Sequence, residues 1–319
     1  MKDLLIGVDI GGTTIKHGII TKEGTLIDKW EIDTDITNHG ENVPYDIWNS
    51  IKTRLTDLQI GYDRLIGIGV GAPGFIDPIS GVVAIAVNIG WHDFNLKEIL
   101  ENLSNLPVYI DNDANIAALG ENWKGSGQLV SNMLAVTLGT GVGGGIIANG
   151  QILTGTNGTG AEIGHMTVIP ENGYHCNCGR TGCLETIASA TGFVRVAKQW
   201  IEEGKADSLK VRLQEQGNLS TKDIFEIARS GDESTNQLIE YILDHLGLAL
   251  ANLAVTLNPA KIVIGGGVSK AGEQLSKPLQ KSFDKYALPR AKEACEIVIA
   301  DLGNDAGIFG GAFLALQKS

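Results

Sequence analysis

Residues 6–16 read IGVDIGGTTIK, an apolar run that ends in a carboxylate, a double glycine and paired threonines. Residues 134–145 read LAVTLGTGVGGG and repeat this plan. A second apolar run follows each stretch, at residues 18–20 and 145–147. Each stretch therefore predicts a strand, a glycine turn and a second strand. A repeat at this separation favours a duplicated α/β domain over a solenoid.

The length and charge of the chain limit its class. A chain of 319 residues exceeds the size at which a single core usually stops growing, so two domains are expected. The net charge is −12 and no basic run is present, which disfavours a nucleic-acid or anionic-membrane partner. Asp9 interrupts the short apolar N-terminus, and no run reaches the length of a membrane span. A cytoplasmic location is the simplest expectation.

Helix signals organise the rest of the chain. Apolar residues at helical spacing from Leu238 to Leu257 predict a long buried helix, and Ser220 to Asp223 is typical of a helix start. We place the domain boundary near residue 118. The prediction is a small N-terminal α/β domain of residues 1–118, onto which a final helix of residues 304–319 packs back. Residues 119–303 then form a larger α/β domain.

The glycine clusters follow strand-like runs, which is how backbone comes close to phosphate. Asp9 ends the first run, and Mg²⁺ or its waters would have to separate this carboxylate from phosphate oxygens. The alternative for the first cluster is an ordinary hairpin with a capping aspartate. The cluster at 139–145 resembles a dinucleotide fingerprint, but it continues as a strand rather than opening a helix, which argues against a Rossmann site. It predicts a phosphate-cradling hairpin, with a merely structural hairpin as the alternative.

Two further segments place polar or glycine residues after a strand. Residues 262–269 run from a strand into three glycines, a turn that would let a base or ribose lie against backbone, or merely connect a strand to a helix. Residues 111–115 read DNDAN. Phosphoryl transfer to an alcohol needs a carboxylate base and a group that fixes neighbouring hydroxyls, roles that suit Asp113 and Asn112. The alternative is an Asx turn with a helix N-cap, and Asp113 could do both jobs.

A metal site is predicted by a cluster of cysteines. Cys176, Cys178 and Cys183 lie within eight residues, and His165 precedes them, which matches a closed tetrahedral zinc site. His175 is a rival ligand but adjoins Cys176, which would strain the geometry. An iron–sulfur cluster would lack one cysteine, and a redox thiol cluster is the other alternative. The remaining cysteine, Cys295, is expected in the core.

Two glutamates flank this predicted metal loop. Glu162 lies three residues before His165, and Glu185 lies two after the last cysteine of the loop. Two carboxylates beside an imidazole form an acceptor group that suits sugar hydroxyls. Each glutamate alone would more commonly be a solvated surface residue.

Together these segments resemble the ROK family (repressors, open reading frames and kinases), and within it the glucokinases of Gram-positive bacteria. The resemblance spans nearly the whole chain. It is carried by DIGGT at 9–13, GAPG at 71–74, NIGW at 88–91, DNDAN at 111–115, LGTGVGGG at 138–145, GAEIGH at 160–165, the cysteine motif ending at Glu185, and GGG at 265–267.

The resemblance implies an actin-like ATPase (RNase H-like) α/β fold, with two domains around a cleft that binds ATP and a sugar. It implies a hexose kinase that phosphorylates the 6-hydroxyl of glucose, with Asp113 as general base, and a dimer or tetramer. Zinc would be structural. The implied hexose contacts are Asn88, Asn112, Asp113, Glu162, His165 and Glu185, and the implied Mg-ATP contacts are Asp9, Gly11, Gly12, Thr13, Thr14, Lys16, Gly139, Thr140, Gly141, Gly265 and Gly266.

Three other functions remain open at this stage. A family kinase could act on another sugar, such as N-acetylmannosamine or fructose, because a difference of one group between hexoses changes binding energies only modestly unless a buried hydrogen bond is lost. A sugar-responsive repressor would need a basic DNA-reading element before Asp9, for which the chain leaves no room. A non-catalytic sugar-binding or zinc-binding regulator is disfavoured because Asp9 and Asp113 are both present.

Overall fold

The protein is described from a computed structural model, which covers residues 2–77 and 79–319. The strands are β1 (Leu4–Ile10), β2 (Thr14–Thr21), β3 (Leu26–Asp33), β4 (Leu65–Ala72), β5 (Phe75–Ile76), β6 (Val83–Ala86), β7 (Trp91–Phe94), β8 (Val108–Asn112), β9 (Met133–Leu138), β10 (Val142–Ala148), β11 (Gln151–Ile152), β12 (Lys261–Gly265) and β13 (Glu296–Ile299). The helices are α1 (Val43–Asp57), α2 (Leu96–Ser104), α3 (Asp113–Lys124), α4 (Glu185–Ala188), α5 (Ala190–Glu202), α6 (Asp207–Gln216), α7 (Thr221–Arg229), α8 (Glu233–Leu257), α9 (Glu273–Tyr286), α10 (Pro289–Ala294) and α11 (Ala306–Lys318).

The chain divides into two compact units. Unit 1 comprises Met1–Val130, Gly145–Ala161 and Asp301–Ser319, and unit 2 comprises Ser131–Gly144 and Glu162–Ala300. The boundary expected near residue 118 falls inside α3, a continuous helix whose side chains are buried on both sides of that point. A functional division of the chain at residue 118 stays a prediction.

The sheet of unit 1 has the strand order β3-β2-β1-β4-β8. Strands β1 and β2 form the antiparallel hairpin predicted from residues 6–20, whereas β1, β4 and β8 are parallel. The register pairs Asp9 with Gly71, and Gly71 with Asp111. Because the carboxyl ends of parallel strands meet at one edge of a sheet, the segments beginning at Asp9 and Asp111 emerge at the same edge, on either side of β4.

Both faces of this sheet are covered by helices. On one face, α1 contributes Ile47, Ile51 and Leu55 to the main apolar core. On the other face, α11 contributes Ile308 and Phe309 to a second core. Both faces of β1 and β4 are therefore buried, but differently. Large aliphatic side chains such as Ile6, Val8 and Ile68 lie on the face toward α1, whereas glycines such as Gly7 and Gly69 lie on the face toward α11.

Helix α11 packs unusually close to its neighbours because glycines face each other across the contacts. A Cβ atom built on Gly7 would lie 1.8 Å from the Ile308 carbonyl oxygen, and one built on Gly69 would lie 1.8 Å from that of Gly311. At Gly310 a Cβ atom would lie 1.7 Å from the Ile116 carbonyl oxygen of α3. The backbone of the C-terminal helix α11 therefore packs directly against the backbone of β1, β4 and α3 in unit 1.

We expect Gly310→Ala to lower the free energy of unfolding by about 3 kcal/mol or more, because neither helix backbone can move without breaking this packing. Urea denaturation monitored by circular dichroism measures the change. Helix propensity alone would instead stabilise the variant by about 1 kcal/mol. Unchanged or increased stability would therefore contradict the packing described here.

The sheet of unit 2 includes β9, β12 and β13 as parallel neighbours, in the order β11-β10-β9-β12-β13. Strand β10 starts in unit 2 and ends in unit 1. The register pairs Thr137 with Gly265, so the glycine turns after β9 and after β12 lie at the same edge. The turn between β10 and β11 is formed by Asn149 and Gly150, both at positive φ, as is typical of a tight β-hairpin.

Helix α8 confirms the long helix predicted from residues 238–257. It is long and apolar enough to cross a membrane by length and composition, but 56% of its most apolar stretch is buried within the structure. Its inward face includes Leu238, Ile242 and Leu246, all without exposed surface. These burials identify α8 as a core helix of unit 2.

Candidate functional site

The first glycine hairpin joins β1 to β2 and carries the residues expected to contact phosphate. Asp9 lies opposite Lys16, with 3.9 Å between the carboxylate Oδ2 and the ammonium nitrogen. The Gly11 N–H donates to the Thr14 carbonyl at 3.0 Å, which closes the turn. Gly12 and Thr13 are exposed at its tip. Asp9, Gly11, Gly12, Thr13, Thr14 and Lys16 are thus brought together on one short hairpin.

Asp9 occupies a confined position behind this turn. A Cβ atom on Gly307 would lie 2.4 Å from the Asp9 carboxyl carbon, so the start of α11 closes over the side chain. Burial raises the pKa of the Asp9 carboxyl, and the nearby Lys16 ammonium opposes this shift. A partly desolvated carboxylate with one weak cationic partner is suited to a divalent cation.

The segment at the end of β8 orders its polar residues into distinct roles. Asn112 is the N-cap of α3: its Oδ1 accepts from the Ala114 N–H at 2.9 Å, while its Nδ2 donates to the Gly74 carbonyl at 2.9 Å. Asp111 is buried and accepts from the Asn112 N–H and the Asn115 side-chain amide. The N-cap role left open for Asp113 belongs to Asn112, which leaves Asp113 as the first residue of the helix.

The side chain of Asp113 is exposed, and the pKa of its carboxyl is raised. One of its carboxylate oxygens accepts from the Ala114 N–H at 2.9 Å. Desolvation raises the pKa of the Asp113 carboxyl, and hydrogen bonds from Ala114 and Asn112 partly offset that rise. A carboxyl that reaches solvent but has a raised pKa is a better proton acceptor than an ordinary surface aspartate.

Asn88 lies in the exposed turn between β6 and β7. A Cβ atom on Gly12 would lie 3.5 Å from the Asn88 Cβ, so this turn neighbours the tip of the first hairpin. No pattern in the sequence indicated that these two segments lie close together. Unit 1 therefore brings the expected sugar contact Asn88 next to the expected phosphate hairpin.

The second glycine hairpin joins β9 to β10 and confirms the predicted strand–turn–strand plan. At its centre, the Val142 N–H donates to Glu185 Oε2 at 3.0 Å. A Cβ atom on Gly141 would lie 2.2 Å from the same oxygen, so a larger residue there would displace the Glu185 carboxylate. Glu185, expected as a sugar contact, thus also holds the backbone of the hairpin that carries Gly139, Thr140 and Gly141.

The predicted zinc ligands are brought together in unit 2. One ligand atom each from His165, Cys176, Cys178 and Cys183 lies within 4.8 Å of all the others. The Cys178 and Cys183 sulfurs are 3.6 Å apart, and the Cys176 sulfur is 3.6 Å from His165 Nδ1. Zn–S bonds of about 2.3 Å in a tetrahedron require sulfur separations of about 3.8 Å. The four donors therefore fit a zinc ion, and His165 takes the histidine position in preference to the rival His175.

The orientation of His165 leaves its second nitrogen outside the cysteine cluster. Nδ1 faces Cys176, whereas Nε2 lies 3.9 Å from Glu162 Oε2. The Arg180 guanidinium donates to the His165 carbonyl at 2.8 Å. Hydrogen bonds from Arg180, first from its backbone, lower the pKa of the exposed Cys178 thiol to about 6, whereas burial and the neighbouring thiols raise the pKa of Cys183 to about 12.

A cavity of 650 Å³ adjoins the third glycine cluster in unit 2. Gly266 has φ of 85°, and a Cβ atom there would lie 2.5 Å from the Leu138 carbonyl oxygen. The backbone of this turn therefore packs closely against the end of β9. The sequence predicted this turn but not the facing wall of the cavity. That wall is formed by Ala190, Ser220, Thr221, Lys222, Phe225, Glu226 and Arg229, opposite Gly267, Val268, Lys270 and Ala271.

The chain is similar to known proteins over almost its entire length. A model of the ROK family matches residues 5–318. A glucokinase from Halalkalibacterium halodurans is 53% identical over 98% of this chain and 95% of its own length. Among solved structures, a ROK hexokinase from Thermus thermophilus has a TM-score of 0.82 at 30% identity, covering 99% of this chain and 98% of that one. A ROK family glucokinase from Streptomyces griseus, in complex with glucose and AMPPNP, has a TM-score of 0.76 at 36% identity, covering 98% and 99%.

These matches confirm the α/β fold of actin-like ATPase type that the family resemblance implied. They also confirm the resemblance on which the expected site residues rest. The geometry adds that Asp9, Asn88, Asn112 and Asp113 belong to unit 1. Unit 2 contains the other expected sugar contacts, Glu162, His165 and Glu185. It also contains the expected nucleotide contacts of the second and third glycine clusters, residues 139–141 and 265–266.

Proposed function

This chain belongs to the ROK family, and we propose that it is a glucokinase, which transfers the γ-phosphoryl group of ATP to the 6-hydroxyl of glucose. The identity of 53% to a glucokinase over nearly the full length supports this activity. The observation that carries the proposal is the placement of Asp113, which begins α3 as an exposed carboxylate with a raised pKa.

Asp113 is the proposed general base. It accepts the proton of the 6-hydroxyl as the oxygen of that hydroxyl bonds to the γ-phosphorus. The bond from this phosphorus to the bridging oxygen breaks, and ADP leaves with the electron pair. Asn112 holds the start of α3 through its N-cap and the Gly74 carbonyl, so the base is mounted on a fixed helix end.

The remaining polar groups suit the hydroxyls of a sugar. Carboxylates accept hydrogen bonds from hydroxyls, and the free Nε2 of His165 either donates or accepts one. The orientation of His165, with Nδ1 toward the cysteines, supports a role in which one ring binds metal and sugar together. The proposed hexose contacts are Asn88, Asn112, Asp113, Glu162, His165 and Glu185.

The two hairpins and the third glycine turn are proposed to bind Mg-ATP. Exposed backbone at glycine turns can approach phosphate oxygens closely. Mg²⁺ arriving with ATP would be held near Asp9, where it would offset charge on the phosphates. The cavity beside Gly266 has room for the base and ribose. The proposed contacts are Asp9, Gly11, Gly12, Thr13, Thr14, Lys16, Gly139, Thr140, Gly141, Gly265 and Gly266.

Zinc is proposed as a structural ion held by His165, Cys176, Cys178 and Cys183. Four protein donors leave no open coordination position, which is the mark of a structural zinc site. Bound there, the ion would fix the ring of His165 and the loop that leads to Glu185. The cytoplasmic location and the dimeric or tetrameric assembly stay predictions.

We expect strong turnover of glucose in an assay of ADP release from Mg-ATP. The panel is glucose, mannose, fructose, N-acetylglucosamine and N-acetylmannosamine, because hexoses that differ by one buried hydrogen bond can differ in kcat/KM by orders of magnitude. The highest kcat/KM on glucose would support the proposal. A higher value on another sugar would replace the substrate but keep the reaction. No turnover of any sugar by folded protein would overturn the kinase assignment.

A further inference from the structure

The turn of the second glycine hairpin is held at each of its carbonyl groups. The Gly139 carbonyl accepts from the Ala190 N–H at 2.8 Å, and the Gly141 carbonyl accepts from the Gly139 N–H at 3.0 Å. The Thr140 carbonyl, between them, accepts a hydrogen bond from the Thr191 hydroxyl. A loop that is rich in glycine would otherwise sample many conformations.

Only some of the backbone N–H groups of the same turn form hydrogen bonds within the protein. Those of Gly139 and Val142 are used within the protein, by the Gly141 carbonyl and by Glu185. Within the described part of the chain, no hydrogen bond engages the N–H of Thr140 or of Gly141. The turn thus keeps two adjacent donors for an outside acceptor.

Planarity of the peptide bond connects these two observations. The Thr140 carbonyl and the Gly141 N–H belong to one peptide plane and point in opposite directions. Fixing the carbonyl therefore fixes where the Gly141 N–H points. The Gly139 carbonyl and the Thr140 N–H likewise share one peptide plane. The hydrogen bond from the Ala190 N–H to the Gly139 carbonyl therefore fixes the direction of the Thr140 N–H.

Thr191 is well mounted for this task. It is the second residue of α5, a helix that spans Ala190–Glu202. The Ser189 side chain caps that helix by accepting from the Gly192 N–H at 3.0 Å, and its hydroxyl donates to the Glu185 carbonyl at 2.7 Å. Because Ser189 does the capping, the Thr191 hydroxyl is available to the hairpin.

We propose that Thr191 is a positioning residue for phosphoryl transfer: its hydroxyl fixes the Thr140 carbonyl so that the Gly141 N–H is aimed at the β- and γ-phosphates of ATP. The inference rests on the proposed glucokinase function and goes beyond it, since Thr191 acts through the hairpin rather than by touching the nucleotide. Without the hydroxyl, the peptide between Thr140 and Gly141 is free to rotate, and one phosphate donor is lost for part of the time.

The test compares Thr191→Val, which keeps the shape but removes the hydroxyl, with Thr191→Ser, which keeps the hydroxyl. The matched control is Thr256→Val, which removes another exposed threonine-to-carbonyl hydrogen bond, to Asn252 in α8. Calorimetry measures the Kd of a non-hydrolysable ATP analogue and of AMP, which lacks the β- and γ-phosphates. Steady-state kinetics give KM for ATP, KM for glucose and kcat.

We expect Thr191→Val to weaken binding of the ATP analogue by about fivefold to tenfold, less than the complete loss of a hydrogen bond to a charged group, because the donor is misdirected for only part of the time. The Kd of AMP and the KM for glucose should stay within about twofold of the unmodified protein. Thr191→Ser should restore most of the ATP affinity, and Thr256→Val should leave it unchanged.

Unchanged ATP affinity in Thr191→Val would overturn the inference. Equal weakening of AMP would also overturn it, because it would indicate direct contact with the nucleoside. A parallel rise in the KM for glucose would indicate general loosening of the unit and would overturn it too. Glucose turnover by the unmodified protein tests the proposed function separately, because the ratio of ATP to AMP affinity does not depend on which sugar is phosphorylated.

Discussion

Replacing Asp113 with asparagine is expected to lower kcat for glucose phosphorylation by about 100- to 10 000-fold, the usual contribution of a general base. The amide is almost the same size and its oxygen can still accept from the Ala114 N–H, so the helix start is preserved. The KM for glucose should change by less than about threefold, because the lost interaction is with the transferring proton. Initial-rate measurements with saturating Mg-ATP test this.

The matched control is Asp207→Asn, which removes the first-turn carboxylate of another helix, α6. Both variants lose the same favourable interaction with a helix N-terminus, so a difference in kcat isolates the chemistry. A residual kcat in Asp113→Asn close to that of the control would show that another group takes the proton.

The pH profile gives a second readout of the same residue. The base must be deprotonated to act, so kcat/KM for glucose should fall as pH falls. Because desolvation raises the pKa of Asp113, this fall should begin at a higher pH than for a freely solvated aspartate. The acidic limb due to Asp113 should be absent from the residual activity of Asp113→Asn.

Zinc loss is the second change with a large expected effect. The purified protein should carry about one zinc ion per chain, and Cys178→Ala should lose it, because three remaining donors cannot close a tetrahedral site. Cys178 is exposed, so its truncation opens no core cavity. We expect a KM for glucose raised by about tenfold or more and a Tm lowered by about 5 °C or more, since the loop between His165 and Glu185 loses its anchor.

Metal analysis, calorimetry of unfolding and glucose kinetics measure these effects. Cys295→Ala is the control, because this thiol is buried in unit 2 outside the cluster, where burial raises its pKa to about 11. It should keep its zinc and its KM for glucose. Full activity in protein stripped of zinc would refute a structural role for the ion.

Much of the candidate site could be predicted from the sequence because its signals are local. The capping box at Ser220 and Asp223 depends on residues three apart, and the structure confirms it. The hairpin at Gly11 and Gly12 depends on glycines between apolar runs. The cysteines of the predicted zinc site lie within eight residues of each other, so the loop between them has few ways to fold.

Other contacts could not be predicted because they join residues far apart in the chain. Glu121 is buried in α3, and its carboxylate accepts from the N–H groups of Ser126, Asp301 and Leu302. It thereby anchors the chain just before α11. In the sequence it looks like an ordinary helix-surface glutamate.

The sequence by itself determined the order of strands and glycine turns, the candidate metal donors and the carboxylate candidates for the base. Each of these features depends on the types and spacing of residues that are close together in the chain. Only the tertiary structure decided that Asn112 rather than Asp113 caps α3, and that Glu185 and Thr191 hold the backbone of the second hairpin. These hydrogen bonds depend on which backbone groups remain without a partner once the helices and strands have packed. A buried polar group then forms a hydrogen bond with a partner that is close in the fold, even where that partner is far away in the sequence.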